Sequence, residues 1–136
     1  MLVKEIMSRN LITVNPDDSL VRAAELMRQY DVGILPVMEG EKIVGVITDR
    51  DIVTRGVSQQ EDTDKMHVCD CMSKSTVCTN PEQDVSSAAK TMAAQQVRRV
   101  PVVEDGCLCG MLSMCDISKN GCDTEVAKAM CEISKP

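Results

Sequence analysis

Two short motifs in this 136-residue chain combine groups that could bind a small molecule. Thr48 stands three residues before Asp51, and Ser113 stands three residues before Asp116, each time after an apolar run typical of a strand. A carboxylate accepts two hydrogen bonds at once, which suits the two hydroxyls of a ribose. The Thr or Ser hydroxyl lies where strand becomes helix, and the free amides at that helix end can contact a phosphate.

The same motifs also have a purely structural interpretation. Thr and Ser are common helix caps, and Asp is favoured in the first helical turn by the helix dipole. Gly45 and Gly110, three residues before each hydroxyl, permit a close backbone approach. What favours a binding role is that the whole arrangement occurs twice at equivalent positions.

Those equivalent positions belong to an internal duplication. When Val3 is aligned with Val68, the sequence matches itself without a gap as far as Gly56 and Gly121. Such a long register indicates a repeat rather than chance. The predicted organisation is a first repeat over residues 1–56, a linker over 57–67, a second repeat over 68–121 and a C-terminal amphipathic helix within 122–136.

Each repeat predicts the order β-α-β-β-α. In the first, residues 11–14 form a short strand, Ser19 caps a helix, residues 34–38 and 43–47 form a hairpin, and a second helix starts at Asp49. In the second, Asp84 is the cap. One such unit has too little core to stand alone. We therefore expect an α+β fold in which two repeats pack sheet to sheet with pseudo-twofold symmetry and form two related clefts.

Composition excludes several functional classes. The net charge is −6, with one Tyr and no Phe or Trp, so neither a basic field nor stacking rings are present for nucleic acid. No apolar run approaches the roughly 20 residues of a membrane span, and the N-terminus does not resemble a signal peptide. A cytoplasmic protein is expected. We predict that it is not an enzyme, because it lacks a catalytic Ser/His/Asp set and a Gly-rich phosphate loop followed by Lys.

The paired units, with Thr48-Asp49-Arg50-Asp51 and Val97-Arg98-Arg99-Val100-Pro101-Val102, resemble the CBS-domain family over residues 3–121. The chain is similar to small stand-alone proteins with a tandem CBS pair, or Bateman module. The resemblance implies clefts that bind AMP, ADP, ATP or S-adenosylmethionine as a regulatory ligand, with no other cofactor. It also implies a homodimer, and a ligand-linked conformational change that is passed to a separate protein target.

The resemblance assigns roles to individual residues. Asp51 and Asp116 would hold the ribose hydroxyls, while Thr48 and Ser113 would contact ribose or phosphate. The ends of the first strands would lie beside adenine in the cleft of the opposite repeat, aliphatic side chains would form the pocket walls, and arginines would meet phosphate. These further residues are Val14, Asn15, Thr79 and Asn80 for adenine, Ile34, Val46 and Met111 for the walls, and Arg98, Arg99 and Arg50 for phosphate.

The two repeats differ in these residues. The first has Gly33-Ile34 where the second has Arg98-Arg99, and Cys115 takes the place of Arg50. Phosphate should therefore be met mainly by the second repeat. The sequence predicts one better site and one that is weaker or empty.

The eight cysteines support a different hypothesis. All lie in the second repeat, its lead-in or the C-terminal segment, and no Cys-x-x-Cys spacing occurs. Most are expected to be packing residues. The alternative is a metal- or thiol-responsive sensor in which His67, Cys69 and Cys71 form the candidate cluster. A third alternative is an interaction scaffold whose clefts stay empty.

Overall fold

The structure is a computed structural model that describes residues 1–59, 62–74, 77–121 and 123–133. Cys122, residues 60 and 61 of the predicted linker, and residues 134–136 lie outside the described residues. Among the helices within those ranges, none has the length and apolar character needed to cross a bilayer.

The chain alternates helices with two hairpins, as the mixed α+β prediction requires. The strands are β1 (Ile34–Glu39), β2 (Lys42–Thr48), β3 (Arg99–Glu104) and β4 (Cys107–Ser113). The helices are α1 (Val3–Ile6), α2 (Leu20–Tyr30), α3 (Asp49–Asp51), α4 (Val68–Cys71), α5 (Val85–Gln95), α6 (Met114–Lys119) and α7 (Asp123–Ile133). A π-helical segment, Ile52–Gly56, continues α3.

The chain forms two compact units whose boundaries differ from those of the sequence repeats. The first-repeat unit is Ile12–Thr76, and the second-repeat unit is Met1–Leu11 with Val77–Pro136. Helix α1 joins the second-repeat unit, where Val3 is fully buried and its amide donates to Gln83 O at 2.9 Å. Helix α4 joins the first-repeat unit in the same way, since the Val68 amide donates to Asp18 O at 2.9 Å. The opening segment of each sequence repeat thus completes the unit built around the other repeat.

In the first-repeat unit, one face of an antiparallel hairpin forms the core. Leu35 pairs with Ile47 and Val37 pairs with Gly45, and the three large side chains of these pairs are fully buried. Directly paired residues project to the same face of a hairpin. Helix α2 adds Leu20, Ala23, Leu26 and Met27 to this core.

The second-repeat unit repeats the arrangement at equivalent positions. Val100 pairs with Leu112 and Val102 pairs with Gly110. The other core side chains come from α5, α6, α7 and α1; they include Val85, Ala88, Ala89, Met92, Ile117, Ala129 and Val3. The predicted hairpins are therefore confirmed in both repeats.

The prediction of a regular first strand in each repeat is wrong. Among the described residues of these segments, only Val14 makes a parallel bridge, to Val37, and only Thr79 makes the matching bridge, to Val102. The Val14 amide donates to Pro36 O at 3.1 Å, and Val14 O accepts from the Met38 amide at 2.8 Å. Asn15-Pro16 then turns the chain away, so the segment has no room for further ladder bonds.

The predicted helix caps are confirmed. Ser19 Oγ accepts from the Arg22 amide at 3.0 Å, and Asp84 Oδ1 accepts from the Ser86 amide at 2.8 Å. Each cap satisfies one of the amides that a helix N-terminus leaves without a partner. The caps place α2 and α5 at the same point of each repeat.

The predicted C-terminal helix is also confirmed, as α7. Ala129 is 2% exposed, and Val126, Met130 and Ile133 pack against the same core. Gln96 Nε2, at the end of α5, donates to Glu132 O at 3.1 Å. The tail helix therefore packs within the second-repeat unit.

We expect Ala129→Glu to destabilise the protein by about 3 kcal/mol or more, because it places an unpaired carboxylate in the core. Ala127→Glu is the matched control, because Ala127 lies on the same helix and is exposed. Denaturant unfolding of both variants gives the comparison. Equal stabilities would show that α7 does not pack as described.

Candidate functional site

The face of each hairpin opposite the core carries six of the predicted site residues, three in each repeat. In the first-repeat unit, Ile34 pairs with Thr48 and Pro36 pairs with Val46. These pairs alternate with the core pairs along the strands, so they project to the other face. We call this the outer face of the hairpin. Ile34, Val46 and Thr48 share it and are each half-buried.

The second-repeat unit places its equivalent residues on the same face of its own hairpin. Arg99 pairs with Ser113, and Pro101 pairs with Met111. Ser113 and Met111 are half-buried, and Arg99 is exposed. Thr48 therefore faces an aliphatic side chain in the first repeat, whereas the equivalent Ser113 faces a guanidinium in the second.

The hydroxyl and the carboxylate of each motif are hydrogen-bonded into a capping box. Thr48 Oγ1 accepts from the Asp51 amide at 3.0 Å, and Asp51 Oδ2 accepts from the Thr48 amide at 3.0 Å. Ser113 Oγ accepts from the Asp116 amide at 3.1 Å, and Asp116 Oδ2 accepts from the Ser113 amide at 2.9 Å. The structural role of the motif is thus present in both repeats.

The capping box fixes the carboxylates without using all of their acceptors. A carboxylate has about four lone-pair positions, and the box takes one of those on Oδ2. Asp51 Oδ1 lies 3.9 Å from Arg55 Nη1, and the Asp51 side chain is only 14% exposed. Each box therefore holds a carboxylate rigidly at the end of the outer face, with lone pairs left to accept further hydrogen bonds.

The amides of the first-repeat motif are committed within the protein. The Asp49 amide donates to Gly33 O at 3.0 Å, and the Arg50 amide donates to Asp49 Oδ1 at 2.8 Å. With the Asp51 amide bonded to Thr48, none of these three is open to a phosphate. The expectation that free amides at this point would bind phosphate is wrong for the first repeat, because the short helix is capped from within.

Arg55 is a residue that sequence reasoning missed. Its Nη1 donates to Cys71 O at 3.3 Å, to Met72 O at 3.4 Å and to Ser73 Oγ at 3.2 Å, in addition to facing Asp51. Arg55 thereby ties the site carboxylate to the end of α4. Its equivalent in the second repeat is Asn120, whose Nδ2 donates to Asp116 O at 2.7 Å. The replacement of Arg55 by Asn120 at the equivalent position was the only feature of the sequence that could have indicated this role.

Gly45 and Gly110 each permit a close backbone approach, as predicted. A Cβ on Gly45 would overlap Ser73 O, and a Cβ on Gly110 would lie 2.7 Å from Ser8 O. The neighbouring residues Val46 and Met111 form antiparallel bridges to Ser73 and Ser8. The close approach that each glycine permits is made by the protein's own backbone.

The candidate phosphate-binding arginines lie beside the two motifs. Arg98 O accepts from the Met114 amide at 3.0 Å, which joins the start of β3 to the start of α6. The side chains of Arg98, Arg99 and Arg50 are exposed. Within the described ranges, no carboxylate forms an ion pair with any of the three.

The structure separates the predicted adenine-contacting residues from the motif of their own unit. Val14 lies opposite Val37, about 10 Å along β1 from Ile34 and Thr48. Its side chain is 3% exposed and belongs to the core. Thr79 is equally buried, at 4%, and its hydroxyl donates to Gln83 Oε1. Neither residue faces the motif of its own unit, because the bridge turns each side chain to the core face.

Asn15 and Asn80 are exposed and stabilise local turns. Asn15 Oδ1 accepts from the Asp17 amide at 3.0 Å, and Asn80 Oδ1 accepts from the Glu82 amide at 2.9 Å. Asn15 also lines an open concavity of about 400 Å³ with Thr13, Asp18 and Met38. This concavity lies beside the turn of the hairpin, whereas Thr48 lies at its other end.

The candidate metal residues do not converge. Cys71 is fully buried in the first-repeat core, whereas His67 and Cys69 are exposed. Burial raises the pKa of the Cys71 thiol, which disfavours the thiolate that a metal requires. Across the described part of the chain, no three His, Cys, Asp or Glu side chains are placed to hold a metal ion.

Comparison with known proteins identifies the duplicated unit. The family model described as CBS domain matches the chain twice, over residues 3–58 and 68–121. The chain belongs to the CBS domain family. The chain is therefore a CBS pair with an α+β fold, and CBS pairs are regulatory modules.

Three proteins with similar CBS pairs illustrate the likeness in sequence and in structure. The CBS domain-containing protein YhcV of Bacillus subtilis is 36% identical over 125 residues, covering 92% of this chain and 89% of YhcV. A crystal structure of Hypoxic Response Protein I with two coordinated zinc ions has a TM-score of 0.80 at 28% identity, covering 88% of this chain and 98% of that one. The CBS domain pair of protein MJ0100, in complex with 5′-methylthioadenosine and S-adenosyl-L-methionine, has a TM-score of 0.77 at 28% identity, covering 88% and 98%.

Proposed function

We propose that this CBS pair is a regulatory sensor of adenosine-containing ligands and not an enzyme. The observation that carries the proposal is the hydroxyl–carboxylate pair, which both units hold in the same capping box at the end of the outer face. A carboxylate that is fixed in this way can accept from ribose hydroxyls without losing side-chain entropy on binding. The adenosyl ligands of the MJ0100 pair contain the ribose that such a group would bind.

The residues proposed to contact the ligand comprise those of the outer face and further residues beyond it. Asp51 and Asp116 would accept from ribose, and Thr48 and Ser113 would line the site beside them. Ile34, Val46 and Met111 would form the aliphatic walls of the pocket. The phosphate contacts would come from Arg98 and Arg99, with Arg50 in a minor role. Four further residues are proposed to contact adenine, but not adenine bound at the motif of their own unit: Val14, Asn15, Thr79 and Asn80.

Ligand binding would act by linkage, because a ligand that prefers one conformation shifts the population towards it. In the first-repeat unit, Arg55 connects Asp51 to residues 71–73, which gives the site a physical path to the segment after the linker. The separate protein target, the homodimer and the cytoplasmic location stay predictions from the sequence.

Thermal unfolding of metal-free, reduced protein tests the proposal. The panel is AMP, ADP, ATP, S-adenosylmethionine, NADH, GTP and zinc. A ligand at about 100 times its Kd stabilises the fold by about 2.7 kcal/mol, and we expect at least one adenosyl ligand to do so. A large shift with zinc alone would instead support the metal sensor, and no shift with any ligand would support the scaffold.

A further inference from the structure

We propose that the two sites select different classes of adenosyl ligand. The Ser113 site would take a nucleotide that carries phosphate. The Thr48 site would take an adenosyl compound in which a thioether or sulfonium group stands in place of phosphate. This inference rests on the proposed function and replaces the expectation of one strong and one weak site.

The two sites differ in the charge around each hydroxyl. Residues 33–34 and 48–55 of the first repeat contain two aspartates and two arginines, which cancel. The equivalent residues 98–99 and 113–120 contain Arg98, Arg99 and Lys119 against the single carboxylate of Asp116, a net charge of +2. Since a phosphate monoester carries close to two negative charges at neutral pH, only the second site compensates it.

The corner between hairpin and helix is occupied differently in the two repeats. A Cβ on Gly33 would lie 3.0 Å from Asp49 Oδ2, so the Asp49 carboxylate lies where the side chain of Arg98 begins in the second repeat. The equivalent of Asp49 is Met114, which carries no charge. A phosphate beside Thr48 would therefore meet a carboxylate, whereas a phosphate beside Ser113 would meet a guanidinium.

The two sites also differ in their side-chain hydrogen-bond donors. Main-chain amides do not distinguish them, because those of Asp49 and Asp51 and those of the equivalent Met114 and Asp116 are all bonded within the protein. In the first repeat, Arg55 is engaged with Asp51 and with the carbonyls at the end of α4. In the second repeat, Arg99 stands directly opposite Ser113 in the ladder. Ile34, at the same place in the first repeat, offers instead an apolar surface that suits the methyl and sulfur of a thioether.

Calorimetric titration of the whole chain with AMP and with 5′-methylthioadenosine tests the inference. Asp51→Asn impairs the Thr48 site, so that titration reports the intact Ser113 site. Asp116→Asn impairs the Ser113 site, so that titration reports the intact Thr48 site. We expect AMP to bind at least about tenfold more tightly than 5′-methylthioadenosine to Asp51→Asn, and the order to reverse in Asp116→Asn. The same order of preference in both variants would overturn the inference while the sensor proposal stands.

A transplant of the first repeat's residues gives a second measurement. Arg98→Gly with Arg99→Ile should weaken AMP binding at the Ser113 site about hundredfold, roughly tenfold for each lost charge, and leave 5′-methylthioadenosine within about threefold. Arg28→Gln, which removes an exposed positive charge on α2, is the control and should change neither. Unchanged AMP affinity in the transplant would contradict the assigned role. Binding of neither ligand to the unmodified protein would also overturn the inference, whereas the sensor proposal is rejected only if no adenosyl ligand of the thermal-unfolding panel binds.

Discussion

Gly45→Ala is expected to destabilise the protein by about 2–4 kcal/mol. The added Cβ would overlap Ser73 O, which is a backbone atom and cannot rotate away. Relief requires β2 and residue 73 to separate. That separation breaks the bond from the Val46 amide to Ser73 O, at 3.0 Å, and the bond from the Ser73 amide to Val46 O, at 2.8 Å.

The control is Gly33→Ala, which adds the same methyl group at the residue before β1. The three heavy atoms nearest to its Cβ all belong to the carboxyl group of Asp49, which is exposed and can turn aside, so the cost should be below about 1 kcal/mol. Urea unfolding of both variants gives the difference. If Gly45→Ala keeps its stability but loses ligand affinity, the glycine serves ligand approach and our assignment of its role is wrong.

Asp116→Asn is expected to weaken AMP binding by between about tenfold and a hundredfold, while stability changes by less than about 1 kcal/mol. An amide oxygen can still accept from the Ser113 amide, so the capping box survives. The ribose, in contrast, loses a charged acceptor worth about 1.5–3 kcal/mol, which corresponds to that loss of affinity.

The control for the lost charge is Asp17→Asn, because Asp17 is an exposed carboxylate in the turn before α2. Calorimetric titration measures the affinity, and thermal unfolding measures the stability of the same samples. A variant that loses stability and affinity together would indicate that Asp116 only holds the helix. Unchanged affinity would remove Asp116 from the site.

The sequence was sufficient for the features that depend on neighbouring residues. The hairpins, the caps at Ser19 and Asp84, and the tail helix were predicted because each has a local signal in periodicity or in capping chemistry. The capping boxes follow from the same spacing that suggested a binding motif. Side-chain periodicity also explains why Ile34, Val46 and Thr48 share a face.

Features that depend on distant parts of the chain were not predictable in this way. The prediction of regular first strands fails because β propensity does not decide how far these segments pair. Their pairing is limited by the turn at Asn15-Pro16 and by the partner strand that is available to them. The exchange of α1 and α4 between the sequence repeats is set by tertiary packing. The role of Gly45 depends on Ser73, and that of Arg55 on residues 71–73, which are remote in sequence.

The central claim is that a fixed carboxylate in this CBS pair recognises the ribose of an adenosyl ligand. Its most direct test is calorimetric titration of metal-free, reduced protein with AMP and with 2′-deoxy-AMP. We expect saturable binding of AMP, weakened at least about tenfold when the 2′-hydroxyl is absent, because a charged hydrogen bond is lost. Equal affinity for the two nucleotides, or no binding of AMP or of any other adenosyl ligand, would contradict it.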